Sequence, residues 1–282
     1  MIRTKNNLTS FTAASRIGDT VENRLLFYVE LFVDLANIKR GSSYLGVHEI
    51  DYSNFPGVLL QEYARRLGIA GISSLSPEIS IDLLDSIRIP TAICRRVWCV
   101  TSVPVNFHPD DEEIVRKRRR LHCTLRIEHG FHVKEMPFDF SGYHVSRKAR
   151  KSSPIKEERD WDRQEKGVDV ALSVRLMQRC FSSDAPDGII FVSGDADFGP
   201  ALKTIIGNRP GIQVMLAAFS SRLSHIYRSD TESGPAWQWP PIILDRFLDE
   251  FKYTRRSDPQ AQQPPRIRTN QNRRSCYGQK VR

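Results

Sequence analysis

The chain is 282 residues long, 40% apolar and 27% charged, with a net charge of +9. That apolar content can fill one large or two small domains, while no window approaches the roughly 18 consecutive apolar residues of a membrane helix. The polar start, with Lys5, Asn6 and Asn7 ahead of Ser10 and Thr12, lacks a secretory leader's apolar stretch, so the expectation is a soluble, cytoplasmic protein with no membrane partner.

Charge is unevenly placed: residues 252–282 hold nine Lys or Arg against one Asp, leaving +1 for the first 251 residues. Basic residues therefore matter where they cluster, in RKRRR from Arg116 to Arg120 and RKARK from Arg147 to Lys151. Cys94, Cys99, Cys123, Cys180 and Cys276 are odd in number and irregularly spaced, which favours reduced thiols over a disulfide framework. Cys94, Cys99, His122 and Cys123 lack the CxxC or HxxxH framing of a zinc site.

In chain order, residues 1–22 carry no sustained periodicity and are expected to form a flexible arm; a domain over 23–251 follows. Leu25 to Val33 is the first predicted strand, a continuous apolar run of the kind buried on both faces of a parallel sheet. Past Asp34, Asn37 and Gly41, helical spacing runs through Val58, Leu59, Tyr63 and Leu67 to a stop at Gly68. Residues 69–88 stay open: Ser76, Pro77 and Glu78 suit a turn or a helix start, with Ile81, Leu84 and Ile87 at helical spacing. Ala92 to Val100 reads as the second strand. A charged helix begins at Asp110, places Ile114, Arg118, Leu121 and Leu125 on one face, and stops near Gly130.

Phe131 to Met136 is the third strand, and residues 141–166 form a polar, basic loop expected to be mobile. Val168 to Cys180 is a helix with Val170, Leu172, Val174, Leu176 and Met177 apolar almost all round, which predicts burial. Ile189 to Val192 and Val214 to Ala217 are the fourth and fifth strands, flanking a helix from Phe198 to Ile206 that Gly207 stops. Helices over Ser221 to Tyr227 and Ile242 to Phe251 complete the domain. The rest, 252–282, is a basic tail too poor in large apolar residues to order itself. The alternation of strands and helices predicts an α/β fold, a three-layer α/β/α sandwich around a mainly parallel sheet built by right-handed crossovers.

Three segments deliver carboxylates: Asp34 after a strand, Asp169 opening a helix, and Asp195 with Asp197 after a strand. Strand ends in α/β sheets are where sites form. Each Asp also has an ordinary use, since Asp34 can cap whatever follows its strand, Asp169 can cap the helix it opens, and one of Asp195 and Asp197 can cap the helix at Phe198. Carboxylates held together repel and raise one another's pKa, for which a divalent cation is the natural counter-charge. Asn37 can hold a carboxylate or a metal-bound water, and Lys166 can approach a phosphate, although a lone Lys in a charged loop is more often only solvated. Ser193 and Gly194 let the backbone pass close to a metal. Tyr143, His144 and Trp161, and also Trp237 and Trp239, can stack on bases, although Trp in a Pro-rich segment more often anchors packing.

These segments together resemble an NYN domain protein of the LabA/DUF88 type, in the PIN-like nuclease superfamily. The resemblance runs from about Leu26 to Phe247 and rests on Val33, Asp34 and Asn37 (VDxxN), Lys166 to Val170 (KGVDV), and Ser193 to Phe198 (SGDxDF). It implies a metal-dependent ribonuclease whose acidic residues gather at the sheet's carboxyl edge. Asp34, Asp169, Asp195 and Asp197 would be catalytic, the first three of them holding Mg2+ or Mn2+. Asn37, Lys166 and Ser193 would contact RNA, single-stranded or structured; beside the resemblance, the basic clusters with Arg118, Arg119, Arg147 and Lys148 suit RNA phosphates, although Arg116 to Arg120 suit a solvated helix face equally well. Arg175 stands where the family usually carries an acid six positions after the helix-opening Asp. That departure favours either a peripheral position or a weakened site that binds RNA or a protein without cutting. Nothing in the sequence marks a 2'-OH reader, and it leaves oligomeric state open, a homodimer included.

Overall fold

The computed structural model describes residues 26–47, 49–74, 89–107, 111–139, 167–227 and 237–251. The N-terminal arm, residues 75–88, the basic loop with Tyr143, His144, Arg147, Lys148, Trp161 and Lys166, and the tail lie outside them. The strands, in chain order, are β1 (Leu26–Val33), β2 (Gly71–Ser74), β3 (Thr91–Val105), β4 (His132–Asp139), β5 (Gly188–Val192), β6 (Gln213–Ala218) and β7 (Ile242–Ile243). The helices are α1 (Leu35–Tyr44), α2 (Phe55–Leu67), α3 (Glu112–Ile127), α4 (Val168–Cys180), α5 (Gly199–Asn208) and α6 (Leu248–Phe251).

The seven strands form one sheet in the order β2-β3-β1-β5-β6-β7, with β4 also on β3. Every pairing is parallel. β3 is long enough to carry β2 on Thr91–Cys94 and β4 on Trp98–Val105, in tandem along the edge that β1 does not use.

Strand periodicity sorts the apolar side chains into two cores, one on each face. Val29, Leu31, Val33, Ile190, Val192, Met215 and Ala217 pack with Ile38 of α1, Leu59, Leu60 and Tyr63 of α2, Leu125 of α3 and Phe251 of α6. Phe32, Ile189, Phe191, Val214 and Leu216 pack with Leu172 and Leu176 of α4 and with Leu202 and Ile205 of α5. This is the expected three-layer sandwich. β1 sits between β3 and β5 and is covered on both faces, which is why LFYVELFV needs no polar alternation.

Several local expectations change. α1 was not legible as a helix because it carries Asn37, Gly41, Ser42 and Ser43, all weak helix formers; an aspartate cap and packing hold it. β3 runs five residues past Val100, through Thr101 and Ser102, whose polarity masks the strand although both are buried. Pro104 is tolerated there because β1 stops pairing at Cys99, so one edge of β3 needs no donor at that point. Ile242–Ile243 pairs with Ala217–Ala218 instead of opening a helix, and only Leu248–Phe251 beyond it is α-helical. In place of a helix over Ser221 to Tyr227 there are two 3-10 turns, Ser220–Arg222 and His225–Tyr227. α4 is not buried all round: Val170 is 66% and Val174 49% exposed, because only one stripe of the helix meets the sheet. No helix of the described residues is long and apolar enough to cross a membrane.

Candidate active site at the carboxyl edge of the sheet

β1 leads toward β3 on one side, whereas β5 leads toward β6 on the other. The carboxyl ends of β1 and β5 are therefore a topological switch point, where departing loops diverge and leave a crevice. The register pairs Val33 with Val192, and Asp34 N–H continues the ladder by donating to the Val192 carbonyl at 3.1 Å. Asp34 and Ser193 consequently leave the sheet side by side.

Asp34 caps α1: its Oδ1 accepts from the Asn37 backbone N–H at 3.0 Å, and its Oδ2 accepts from Ser193 Oγ–H at 2.9 Å. The Ser193 hydroxyl in turn accepts from Asp195 N–H at 3.1 Å, and Asn37 Oδ1 accepts from Gly194 N–H at 3.3 Å. One aspartate thereby fixes both the start of α1 and the loop after β5. Asp34 is only 7% exposed. Burial pushes its carboxyl up to about 6, helped by the negative charge of Asp169, against hydrogen bonds from Asn37 and Ser193 and the positive charge of Arg40.

Asp195 caps the following 3-10 turn by accepting from Asp197 N–H at 3.1 Å, which leaves the exposed Asp197 carboxylate outside the cap. Tyr227 Oη–H donates to the Asp195 carbonyl at 2.6 Å. Burial, with the charges of Asp195 and Asp197, drives the Tyr227 phenol well above its ordinary pKa. Asp169 lies in the first turn of α4 and shares with Asp197 a cleft of about 520 Å3 between α4 and α5, floored by Ser173, Met177 and Ala201.

Gly194 has a definite steric reason. A Cβ there would collide with the carbonyl of Arg222, and Ser224 N–H donates to the Gly194 carbonyl at 2.9 Å. Gly41 likewise accepts the ring of Phe219, which leaves no space for a side chain on α1. The segment 219–224 is thus pressed against both α1 and the loop that carries Asp195.

The structure brings Asp34, Asn37, Ser193 and Asp195 into one hydrogen-bonded set, with Asp169 close enough to act on Asp34 through charge. Among the described residues, no group of three or more His, Cys, Asp or Glu is drawn tightly enough to hold a metal by itself. The donor chemistry nevertheless suits a hard cation, since the available ligands are carboxylate oxygens and the positive charge of Arg40 offsets the burial of Asp34 only in part. Asn37 and Ser193 are buried and brace Asp34 and the loop after β5, a use the sequence offered for Asn37 beside the substrate contact expected of both. Arg118 donates to Ser102 Oγ at 3.2 Å and lines a cleft between α1 and α3; Arg119 is exposed and outside that lining. Arg175 lies over the Trp98 ring at 4.8 Å, a contact that ties α4 to β3. Trp237 and Trp239 are packing anchors, donating to the Ile226 carbonyl and to Gln213 Oε1.

Two buried polar clusters escaped the sequence. Glu30, fully buried inside β1, accepts from Arg96, Trp98 and the Nε–H and Nη2–H groups of Arg179 at 2.7–3.2 Å. A bulge that makes Arg95 the extra residue of β3 sets Arg96 opposite Glu30. His122 on α3 is buried between Thr101 Oγ1 at 3.2 Å and Glu135 Oε1 at 3.0 Å, and burial holds its pKa below the ordinary value. The visible signal for the first was a lone Glu within an eight-residue apolar run.

Residues 106–230 match the model of the NYN domain family. The match takes in Asp169, Ser193 to Asp197 and Tyr227; β1 and Asp34 precede it. The mainly parallel sheet flanked by helices is consistent with the α/β, PIN-like fold of NYN domains, and the match supports an NYN or PIN-like nuclease domain. No curated protein matches. Among solved structures, a protein of unknown function from Vibrio parahaemolyticus is similar at 19% identity over 70% of this chain and 85% of its own, with a TM-score of 0.39, a likeness too slight to support an inference.

Proposed function

We propose that this NYN domain is a metal-dependent endoribonuclease of the LabA/DUF88 type acting in the cytoplasm. The observation that supports it best is the hydrogen-bonded set of Asp34, Ser193 and Asp195 at the switch point, with Asp169 acting on Asp34 through space. Asp34, Asp169 and Asp195 would hold Mg2+ or Mn2+, with Asp197 beside them. When bound, such an ion offsets phosphate charge and lowers the pKa of a water.

The protein's own part is positional. Ser193 keeps Asp34 Oδ2 pointed at the loop after β5, the 3-10 cap fixes Asp195, and Tyr227 holds the Asp195 carbonyl in place. Asp197 and Asp169, on opposite walls of the α4–α5 cleft, would accept protons or orient water at the scissile phosphate. No Ser, Cys or His nucleophile is required.

A second function, binding RNA or a protein partner without cleavage, is favoured by Arg175 at a usually acidic position and by carboxylates that do not close into a cage. One experiment separates the two: a cleavage time course on labelled RNA and single-stranded DNA with Mn2+, Mg2+ or EDTA, beside Asp195→Asn. Metal-dependent cutting of RNA that the variant loses while keeping RNA affinity is the expected result. RNA binding without cutting by the unaltered protein would establish the second function, and equal cutting of DNA would refute the RNA assignment.

A further inference from the structure

The cleft between α1 and α3 is lined by cations interleaved with apolar and aromatic side chains. Its volume is about 740 Å3. Lys39 and Arg40 come from α1, Lys117 and Arg118 from α3, and Arg222 from the turn after β6; among the described residues no Asp or Glu lines it. Each helix contributes a stripe at helical spacing. On α1 it is Ala36, Lys39, Arg40, Ser43 and Tyr44; on α3 it is Ile114, Lys117, Arg118, Leu121 and His122. Cations therefore alternate with apolar and aromatic side chains along both walls. Tyr44 at the mouth is 73% exposed and Leu121 40%.

The cleft also joins the carboxylates. Leu35, in its lining, follows Asp34 directly; Arg40 is near enough to Asp34 to lower its carboxyl's proton affinity; and the Arg222 backbone rests on Gly194. A polyanion lying between the helices would thus run up to the switch point.

Resting on the nuclease function proposed above, we infer that the α1–α3 cleft is the seat of a single nucleic-acid strand, with Lys39, Lys117 and Arg222 gripping its phosphates and Tyr44 stacking on a base. Phosphate contacts alone would serve a duplex equally well. The exposed Tyr44 ring and the apolar Ile114 and Leu121 between the cations select a strand whose base faces are free, since stacking needs an open π-face. Tyr44 is then a specificity-determining residue, and the three cations are positioning residues for the scissile phosphate.

The test measures binding by fluorescence anisotropy in EDTA, on Asp195→Asn protein, with a labelled 12-nucleotide single strand and its duplex. Cutting is thereby removed from the readout. Neutralising three phosphate contacts in Lys39→Gln/Lys117→Gln/Arg222→Gln lowers the salt slope by about 2 and weakens single-strand binding on the order of 100-fold near 0.1 M salt, at about 0.7 per contact for single strands. Tyr44→Ala weakens the single strand by roughly 5- to 150-fold and leaves the duplex unchanged, while Tyr44→Phe restores it. Lys203→Gln/Arg209→Gln, outside the cleft, changes neither. An unchanged salt slope in the triple variant would overturn the assignment, as would equal Tyr44→Ala losses on strand and duplex. Strand binding at this cleft by a chain that cuts nothing would sink the nuclease function and leave the cleft standing; full cleavage by the triple variant would do the reverse.

Discussion

Asp34→Asn is expected to stabilise the metal-free protein while destroying its activity. Burial raises the Asp34 carboxyl from its ordinary 3.8 to about 6, so the folded chain binds this proton more tightly than the unfolded chain does. The group's contribution to stability is therefore complete below pH 4, declines as pH rises toward 6, and is gone above it. At about 1.4 kcal/mol per pH unit, the ionised carboxylate costs roughly 3 kcal/mol at pH 8, and about half of that at pH 5. An amide keeps the Asn37 N–H bond through its oxygen, and the Ser193 hydroxyl can turn to accept from its nitrogen. Whatever constant penalty that rearrangement carries, the variant's advantage should grow by about 1.5 kcal/mol between pH 5 and pH 8. Urea unfolding of both proteins in EDTA at the two pH values measures this directly. Mn2+ added at pH 8 should raise the midpoint of the unaltered protein and not that of Asp34→Asn. A variant whose advantage is the same at both pH values, or which is uniformly weaker, would show that Asp34 is not strained by burial and that its hydrogen bonds dominate.

Glu30→Ala leaves Arg96 and Arg179 without their shared buried carboxylate, and removing one partner of such a network costs about 3–5 kcal/mol; chemical denaturation should find that loss, with far less effect from Asp184→Ala at the exposed rim of the same network. Gly194→Ala forces the Arg222 carbonyl away from the site loop, a strain of about 1–3 kcal/mol. Thermal melting reads the strain, and cleavage assayed well below the midpoint should still fall, because the displaced segment is the one that braces Asp195 and delivers Arg222 to the cleft.

The strands of the sheet's centre were legible because burial on both faces imposes apolar runs that nothing else in a soluble chain explains; Leu31 to Val33 and Ile189 to Val192 announce themselves. The carboxylates were legible for the complementary reason, as each ends such a run or opens a helix after a break. α1 was not, since weak helix formers fill it: its Asp34 cap is local, but Gly41 packs against Phe219, a partner far away in sequence. The basic cleft was half legible. Arg118 stood out within a charged run, but its companions Lys39, Arg40 and Arg222 are isolated residues that only the packing of three separate segments unites. Asn37 and Ser193 were singled out correctly as belonging near the carboxylates, and their buried side chains then turn out to face the protein's own groups. Side-chain direction of this kind depends on the adjacent loop, which spacing alone does not encode.

The pairing of β1 with β5 has a consequence for how the molecule is made. Asp34 and Ser193 are separated by 159 residues, so at a synthesis rate of about 5–20 residues per second the second half of the switch point leaves the ribosome roughly 8–30 s after the first. Throughout that interval Leu31, Phe32 and Val33 present an open strand edge with no β5 to occupy it, and the chain depends on slow, long-range closure in place of local hairpins. The carboxylate-bearing edge is accordingly among the last parts of the domain to exist: a nascent or truncated chain carries the exposed strand without the completed carboxylate set.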